Sequence, residues 1–194
     1  MSPPRIVLAS TSRYRAELLR RVLADFEQIA PDVDEPELPD EPPAARAARL
    51  ATRKAEAIAG SLRDALVIGS DQVAALGNAV LHKPGTTERA HQQLRASSGN
   101  SIDFYTGLCV INTRDGSRES VLDHTRVVFR ELADAEIERY LAHEKPLDCA
   151  GSFKSEGAGI ALFKRIESVD PTALIGLPMI ALTRLLRNAG IALP

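Results

Sequence analysis

Near the middle of the chain a run of apolar residues, Ala65-Leu-Val-Ile-Gly-Ser-Asp71-Gln72-Val-Ala-Ala-Leu76, carries a carboxylate and an amide inside it. Such a run predicts a buried strand. A carboxylate there is costly to leave unpaired, so Asp71 calls for a cation, a metal or a chemical role. It is on that ground the first candidate for chemistry.

The rest of the chain must supply what surrounds this strand. With 194 residues, 44% hydrophobic and 26% charged, it has the make-up of one globular domain or two tightly joined lobes. A net charge of -2 excludes broad basic coating of a nucleic acid polymer, so a phosphate-bearing ligand must be met by a local group of cations. The two cysteines, Cys109 and Cys149, form neither a metal-ligand spacing nor a disulfide framework. No apolar leader and no run of membrane-spanning length stands out, so a cytoplasmic location is expected, without membrane partners.

Taken in order, residues 5–9 predict a short buried strand, and Leu18, Leu19, Val22 and Leu23 recur at helical spacing. Between them, Ser10-Thr-Ser-Arg-Tyr-Arg15 is a hydroxyl-rich turn into a helix that Ser12 caps. Arg13 and Arg15 in a first turn oppose the helix dipole, a conflict that a bound anion would relieve. A plain capped helix with surface arginines fits the same pattern. After a strand near 26–29, prolines keep residues 31–43 out of regular structure, and this acidic loop is either simply solvated or brings Asp34 or Glu35 to a hard cation.

A helix over about 44–61 places Ala47, Leu50, Ala51, Ala55 and Ile58 on one stripe, with Lys54 inside it. Gly77-Asn78 predicts a tight hairpin after the central strand, bringing Lys83 back toward Ser70 and Asp71. Thr87 is expected to cap one further helix and Asp134 another; two long strands lie between them, over 102–110 and 121–129. Residues 149–159 form a glycine-rich loop suited to close ligand approach, although neither a Walker loop nor Gly-x-Gly-x-x-Gly is present. Two short strands, 160–163 and 166–169, and a helix over 177–187 complete the chain.

Collected, the candidates are an anion-ready helix start, Lys54, Asp71, Lys83, the loop acids and the glycine-rich loop. Phosphate chemistry accommodates all of them. Aspartate, with an ordinary pKa near 4, is a weak base for water, and a divalent cation would repair that. No Gly-x-Ser-x-Gly elbow or His-Glu-x-x-His competes, and the four histidines are scattered singly.

Leu8-Ala-Ser-Thr-Ser-x-x-Arg15 with Leu18-Leu19, then Val33-Asp-Glu35, Lys54-Ala55, Gly69-Ser-Asp71, Lys83-Pro84 and Gly176-Leu-Pro178 resemble, in order and spacing, the Maf nucleotide pyrophosphatases. The resemblance implies an α/β fold with a mixed twisted sheet flanked by helices, as in the inosine triphosphatases. It further implies a single domain over 1–194 with two interleaved lobes around a deep cleft, and a possible homodimer. It implies hydrolysis of nucleoside triphosphates to monophosphate and pyrophosphate with Mg²⁺ or Mn²⁺. Within the family, Ser70-Asp71-Gln72 and Gly151-Ser-Phe-Lys-Ser-Glu-Gly157 resemble the branch acting on 7-methyl-GTP, a house-cleaning activity.

Carried over by position, Asp71 is the proton acceptor, and Ser10, Ser12, Arg15, Lys54 and Lys83 bind substrate. Glu35 and Asp71 hold the metal, while Tyr14, Gln72 and Glu156 set specificity. A 7-methylguanine ring is cationic, so an aromatic face at Tyr14 and a carboxylate at Glu156 suit it. Tyr14 packing under its helix, and Glu156 pairing with Lys154, are the plain alternatives. A dTTP/UTP pyrophosphatase of the same family and a nucleotide-binding regulator of septum formation stay open. One tension is built in: along a straight strand Asp71 and Gln72 point to opposite faces, so both serve one site only if the strand bends.

Overall fold

The computed structural model describes residues 4–194; residues 1–3, which enter the expectation of a chain without a leader, lie outside the described residues. The chain separates into two compact units, each assembled from discontinuous stretches. The first takes the described part of Met1–Gln72 with Thr106–Asp123 and Asp170–Pro194, and the second takes Val73–Tyr105 and His124–Val169. Mixed parallel and antiparallel strands flanked by helices make an α/β fold, as expected.

In the first unit, β1 (Arg5–Ala9) pairs in parallel with both β2 (Glu27–Ile29) and the opening residues of β3 (Ala65–Leu76). Parallel neighbours require crossover links, and the helices α1 (Arg13–Arg20) and α2 (Pro43–Ala59) supply them. Parts of β5 (Ser101–Asn112) and β6 (Arg118–Phe129) continue the order β2-β1-β3-β5-β6. Side chains alternate along these strands and fill two cores. Leu8, Leu66, Ile68, Leu108 and Val110 pack with Leu18 and Leu19 of α1 and with Leu182, Leu185 and Leu186 of α5 (Met179–Asn188). On the other face, Val7, Ala9, Val67, Cys109 and Ile111 pack with Ala55 and Ile58 of α2.

Two glycines let α2 come this close. A Cβ on Gly69 would stand 2.3 Å from the Ala51 carbonyl oxygen and 2.6 Å from the Ala55 nitrogen. One on Gly107 would stand 2.4 Å from the Ala47 carbonyl oxygen. The predicted stripe Ala47, Leu50, Ala51, Ala55 and Ile58 is buried along its length, and Lys54 is buried with it.

In the second unit the end of β3 turns through Gly77 and Asn78 into β4 (Ala79–Leu81), with Leu76 opposite Ala79. This is the hairpin the sequence predicts, and Gly77 takes the positive φ of +60° that such a turn needs. Parts of β5 and β6 adjoin β7 (Phe163–Glu167), which runs antiparallel to β6. Phe104, Phe129, Phe153 and Phe163 pack edge to face with ring centroids 4.8 to 5.6 Å apart.

Local expectations are corrected at three points. Thr86, in extended conformation, caps α3 (Thr87–Ser97) by accepting from the Arg89 N–H, so Thr87 is the first helical residue. Ala133 precedes α4 (Asp134–Glu144), where the Glu136 carboxylate accepts from the Ala133 N–H in place of an Asp134 cap. The two short strands foreseen over 160–169 are a tight helical turn, Ala158–Leu162, followed by β7 alone, because the hydrogen-bonded turn takes up the first apolar run. Cys109 and Cys149 are free thiols, and no helix among the described residues is long and apolar enough to cross a membrane.

The contact between α2 and β3 sets a first prediction. Gly69→Ala forces a methyl group into the α2 backbone, and overpacking of this kind costs about 1–3 kcal/mol. Urea unfolding is expected to shift by that amount, and an unchanged midpoint would contradict the packing described.

Candidate active site

The alternation of β3 decides which residues meet. Gly69 and Asp71 face α2, whereas Ser70 and Gln72 face the segment leading into α5. Lys54 lies one turn beyond Leu50 on the packed stripe, so its ammonium arrives over β3 at Asp71. Nζ donates to Asp71 Oδ1 at 2.5 Å and stands 2.7 Å from Glu35 Oε1. Lys54 is 8% exposed and Asp71 is 7% exposed, so the pair is buried.

Glu35 reaches this position because the acidic loop is tied down. Arg46 of α2 pairs with Glu37 at 2.8 Å and donates to the Glu35 carbonyl. Arg49 pairs with Glu41 at 2.5 Å and donates to the Pro36 carbonyl. A loop that composition describes as solvated is thus fastened to α2 by two guanidinium groups.

At the start of α1, the Ser12 hydroxyl accepts from the Arg15 N–H and caps the helix as predicted. The Ser10 hydroxyl accepts from the Ser12 N–H and from Arg15 Nη1, while the Gln28 side chain donates to the Ser10 carbonyl. Arg15 Nε donates to the Gly176 carbonyl at 2.8 Å. Burial draws the Arg15 guanidinium below its usual pKa, and the negative charges of Asp71 and Glu35 oppose that shift. Arg15, Lys54, Asp71 and Glu35 therefore belong to one electrostatic group.

The remaining sequence candidates make other contacts. The Tyr14 ring carries the Arg13 guanidinium at 4.7 Å, and Arg13 Nη2 donates to its hydroxyl. Gln72 does not share Asp71's face: β3 runs without interruption, and Gln72 Nε2 donates to Thr106 Oγ1 and to the Ala173 and Leu174 carbonyls. Lys83 and Glu156 belong to the second unit and are exposed. Lys154 pairs there with Glu144 at 3.4 Å, while the Ser155 hydroxyl donates to Glu156. Glu144 also accepts from the Ala158 N–H, which holds its carboxyl below the ordinary range and pins the glycine-rich loop to α4.

Sequence reasoning missed Gln28, Thr106, Asp170 and Thr172, whose contacts hold the chain around Ser10 and Gly176. Their only sequence signal is proximity to a glycine- or proline-marked turn.

A divalent cation suits this donor set. Among the described residues no group of three or more His, Cys, Asp and Glu side chains could hold a metal ion. Glu35 and Asp71 nevertheless bring carboxylate oxygens to a single positive centre, the Lys54 ammonium. Magnesium is commonly held by one or two carboxylates together with substrate phosphates, and these two residues fit that requirement.

The sequence profile of a family described as Maf-like protein matches residues 5–189. A Nitrosococcus oceani protein named 7-methyl-GTP pyrophosphatase is 54% identical over 97% of this chain and 95% of its own. Proteins of the same name from Xanthomonas axonopodis pv. citri and Thiobacillus denitrificans are 54% and 55% identical, over 98% and 97% of this chain and 100% and 94% of theirs. Among solved structures, the Staphylococcus aureus Ham1 protein covers 67% of this chain and 72% of its own at 19% identity and a TM-score of 0.45, a likeness too slight to argue from. The match across nearly the whole length places this chain in the Maf family.

Proposed function

We propose that this protein is a nucleoside triphosphate pyrophosphatase that hydrolyses 7-methyl-GTP to 7-methyl-GMP and pyrophosphate. The observation that carries the reading is the buried carboxylate of Asp71, held at 2.5 Å by Lys54 beside Glu35 and within the field of Arg15. The names of its relatives supply the substrate.

In this mechanism Arg15 and Lys54 bind the triphosphate, and their fixed charges oppose the negative charge that develops in the transition state. Ser10 and Ser12 hold the helix start in place around Arg15. Asp71 accepts a proton from the attacking water as its oxygen bonds to the α-phosphorus. The bond from that phosphorus to the bridging oxygen then breaks, and pyrophosphate departs. Mg²⁺ or Mn²⁺, held by Glu35 and Asp71 when bound, would neutralise phosphate charge and lower the pKa of a coordinated water. Lys83 is assigned to phosphate contact, and Tyr14 and Glu156 to the cationic base, on the family resemblance. Gln72, with its amide nitrogen engaged by backbone carbonyls, would act on specificity through the segment it holds.

Three measurements test the proposal. With Mg²⁺ or Mn²⁺, purified protein is expected to release pyrophosphate from 7-methyl-GTP with a higher kcat/KM than from GTP, dTTP or UTP; preference for dTTP or UTP would move it to the other branch, and no release from any would end the proposal. Asp71→Asn, which leaves Lys54 its Glu35 partner, should cut turnover by about 10²–10⁴-fold while the protein stays folded. Lys54→Met should instead cost stability as well, by about 3–5 kcal/mol, because it leaves a buried carboxylate uncompensated. Equal unfolding midpoints for Lys54→Met and the parent protein would contradict the pairing.

A further inference from the structure

Residues 170–180 form a loop closed at its neck by two side chains. Asp170, 3% exposed, accepts the Ile180 N–H on Oδ2 at 2.6 Å. Its Oδ1 accepts the Thr172 N–H at 3.0 Å and the Thr172 hydroxyl at 2.5 Å. The same hydroxyl accepts the Met179 N–H at 2.9 Å. Asp170 and Thr172 thereby satisfy N–H groups in the first turn of α5, where Pro178 occupies the cap position and makes no side-chain cap.

The tip of the loop is held from the sheet. Gln72 reaches the Ala173 and Leu174 carbonyls, Thr106 reaches the Ala173 carbonyl at 3.0 Å, and Ser70 reaches the Gly176 carbonyl at 3.0 Å. Gly176 has a φ of +120°, which L side chains rarely adopt, and a Cβ there would stand 3.5 Å from Arg15 Nε. The chain therefore turns sharply at the residue whose carbonyl receives Arg15 Nε. With Nε fixed on Gly176 and Nη1 on Ser10, the plane of a rigid guanidinium fork is determined, and so is the direction of its remaining N–H groups.

We infer that Asp170, with Thr172, is a positioning residue for Arg15: it closes the neck of the 170–180 loop and so fixes the Gly176 carbonyl that aims the Arg15 guanidinium at substrate phosphate. The inference rests on the phosphate-binding role proposed above for Arg15. An ordinary helix cap would contribute stability alone. A cap whose loop orients a binding cation has a second effect, on anion affinity, that vanishes when the cation is removed.

A double-mutant cycle separates the two, with inorganic tripolyphosphate as the probe in calorimetric titration and thermal melts run alongside. Asp170→Asn places an amide donor or a weaker acceptor against the Ile180 N–H. It is expected to weaken tripolyphosphate binding about tenfold or more in the parent background, the scale of one misdirected charge-assisted hydrogen bond. In an Arg15→Ala background the same change should alter affinity by less than about twofold, since the group it positions is gone. If Asp170→Asn weakens binding equally in both backgrounds, or in neither, the inference is overturned while the proposed function stands. If Arg15→Ala itself leaves tripolyphosphate affinity unchanged, the phosphate role of Arg15 fails and the inference fails with it. Should Asp170→Asn not fold, Thr172→Val opens the same neck and is read in the same cycle.

Discussion

The Lys54 ammonium lies in a largely apolar contact between α2 and β3, with one carboxylate at 2.5 Å and another at 2.7 Å. Removing a charge from water costs several kcal/mol, so neither the Lys54 ammonium nor the Asp71 carboxylate, whose side chains are each 10% exposed, is stable in this contact unpaired, while Glu35, 45% exposed, adds a second carboxylate to Lys54. Everything nearby serves to make the meeting possible. Gly69 and Gly107 let α2 lie directly on the sheet, the alanines of its stripe keep it there, and Arg46 and Arg49 hold the acidic loop so that Glu35 arrives. Two acids and one base leave a net negative charge, and the Arg15 guanidinium lies within its field.

This balance suits a site for a polyanion better than a purely structural ion pair would. A triphosphate needs cations, yet a cluster of cations alone would bind product as firmly as substrate. In the proposed mechanism, carboxylates among the cations would supply a proton acceptor and a place for a divalent ion, so that part of the positive charge would arrive with the substrate. The strand contributes its second function from its opposite face. Ser70 and Gln72 hold the 170–180 loop, and through Gly176 that loop reaches Arg15. One strand thus holds the proposed base on one side and the support of a proposed phosphate ligand on the other.

The strands and helices were legible where their periodicity was strong. The alternation of β5, the stripe of α2 and the Gly77-Asn78 hairpin all formed as read, because each encodes its own burial or backbone geometry. Boundaries set by a single hydroxyl or carboxylate were less legible: Thr86 and Thr87 offer the same cap, and only the backbone conformation chooses between them. At the site, Lys54 and Asp71 stood out as charged residues on apolar stripes, but the hairpin offered Lys83 as the lysine near Asp71, and only the way α2 lies on β3 makes Lys54 its partner. Asp170 and Thr172 gave no such signal, because the partners of their longest contacts are backbone N–H groups ten and seven residues away, which carry no residue-type signal. The tension between Asp71 and Gln72 was visible in the alternation of a strand, and the uninterrupted β3 resolves it by giving each residue its own face.

In the proposed mechanism Asp71 on β3 draws a proton from water as it attacks the α-phosphorus of the nucleotide. Hydrolysis of 7-methyl-GTP in ¹⁸O-labelled water, with mass analysis of both products, tests it most directly. Attack at the α-phosphorus puts the label in 7-methyl-GMP and none in pyrophosphate. Label in pyrophosphate would place the attack on the β-phosphorus and contradict it.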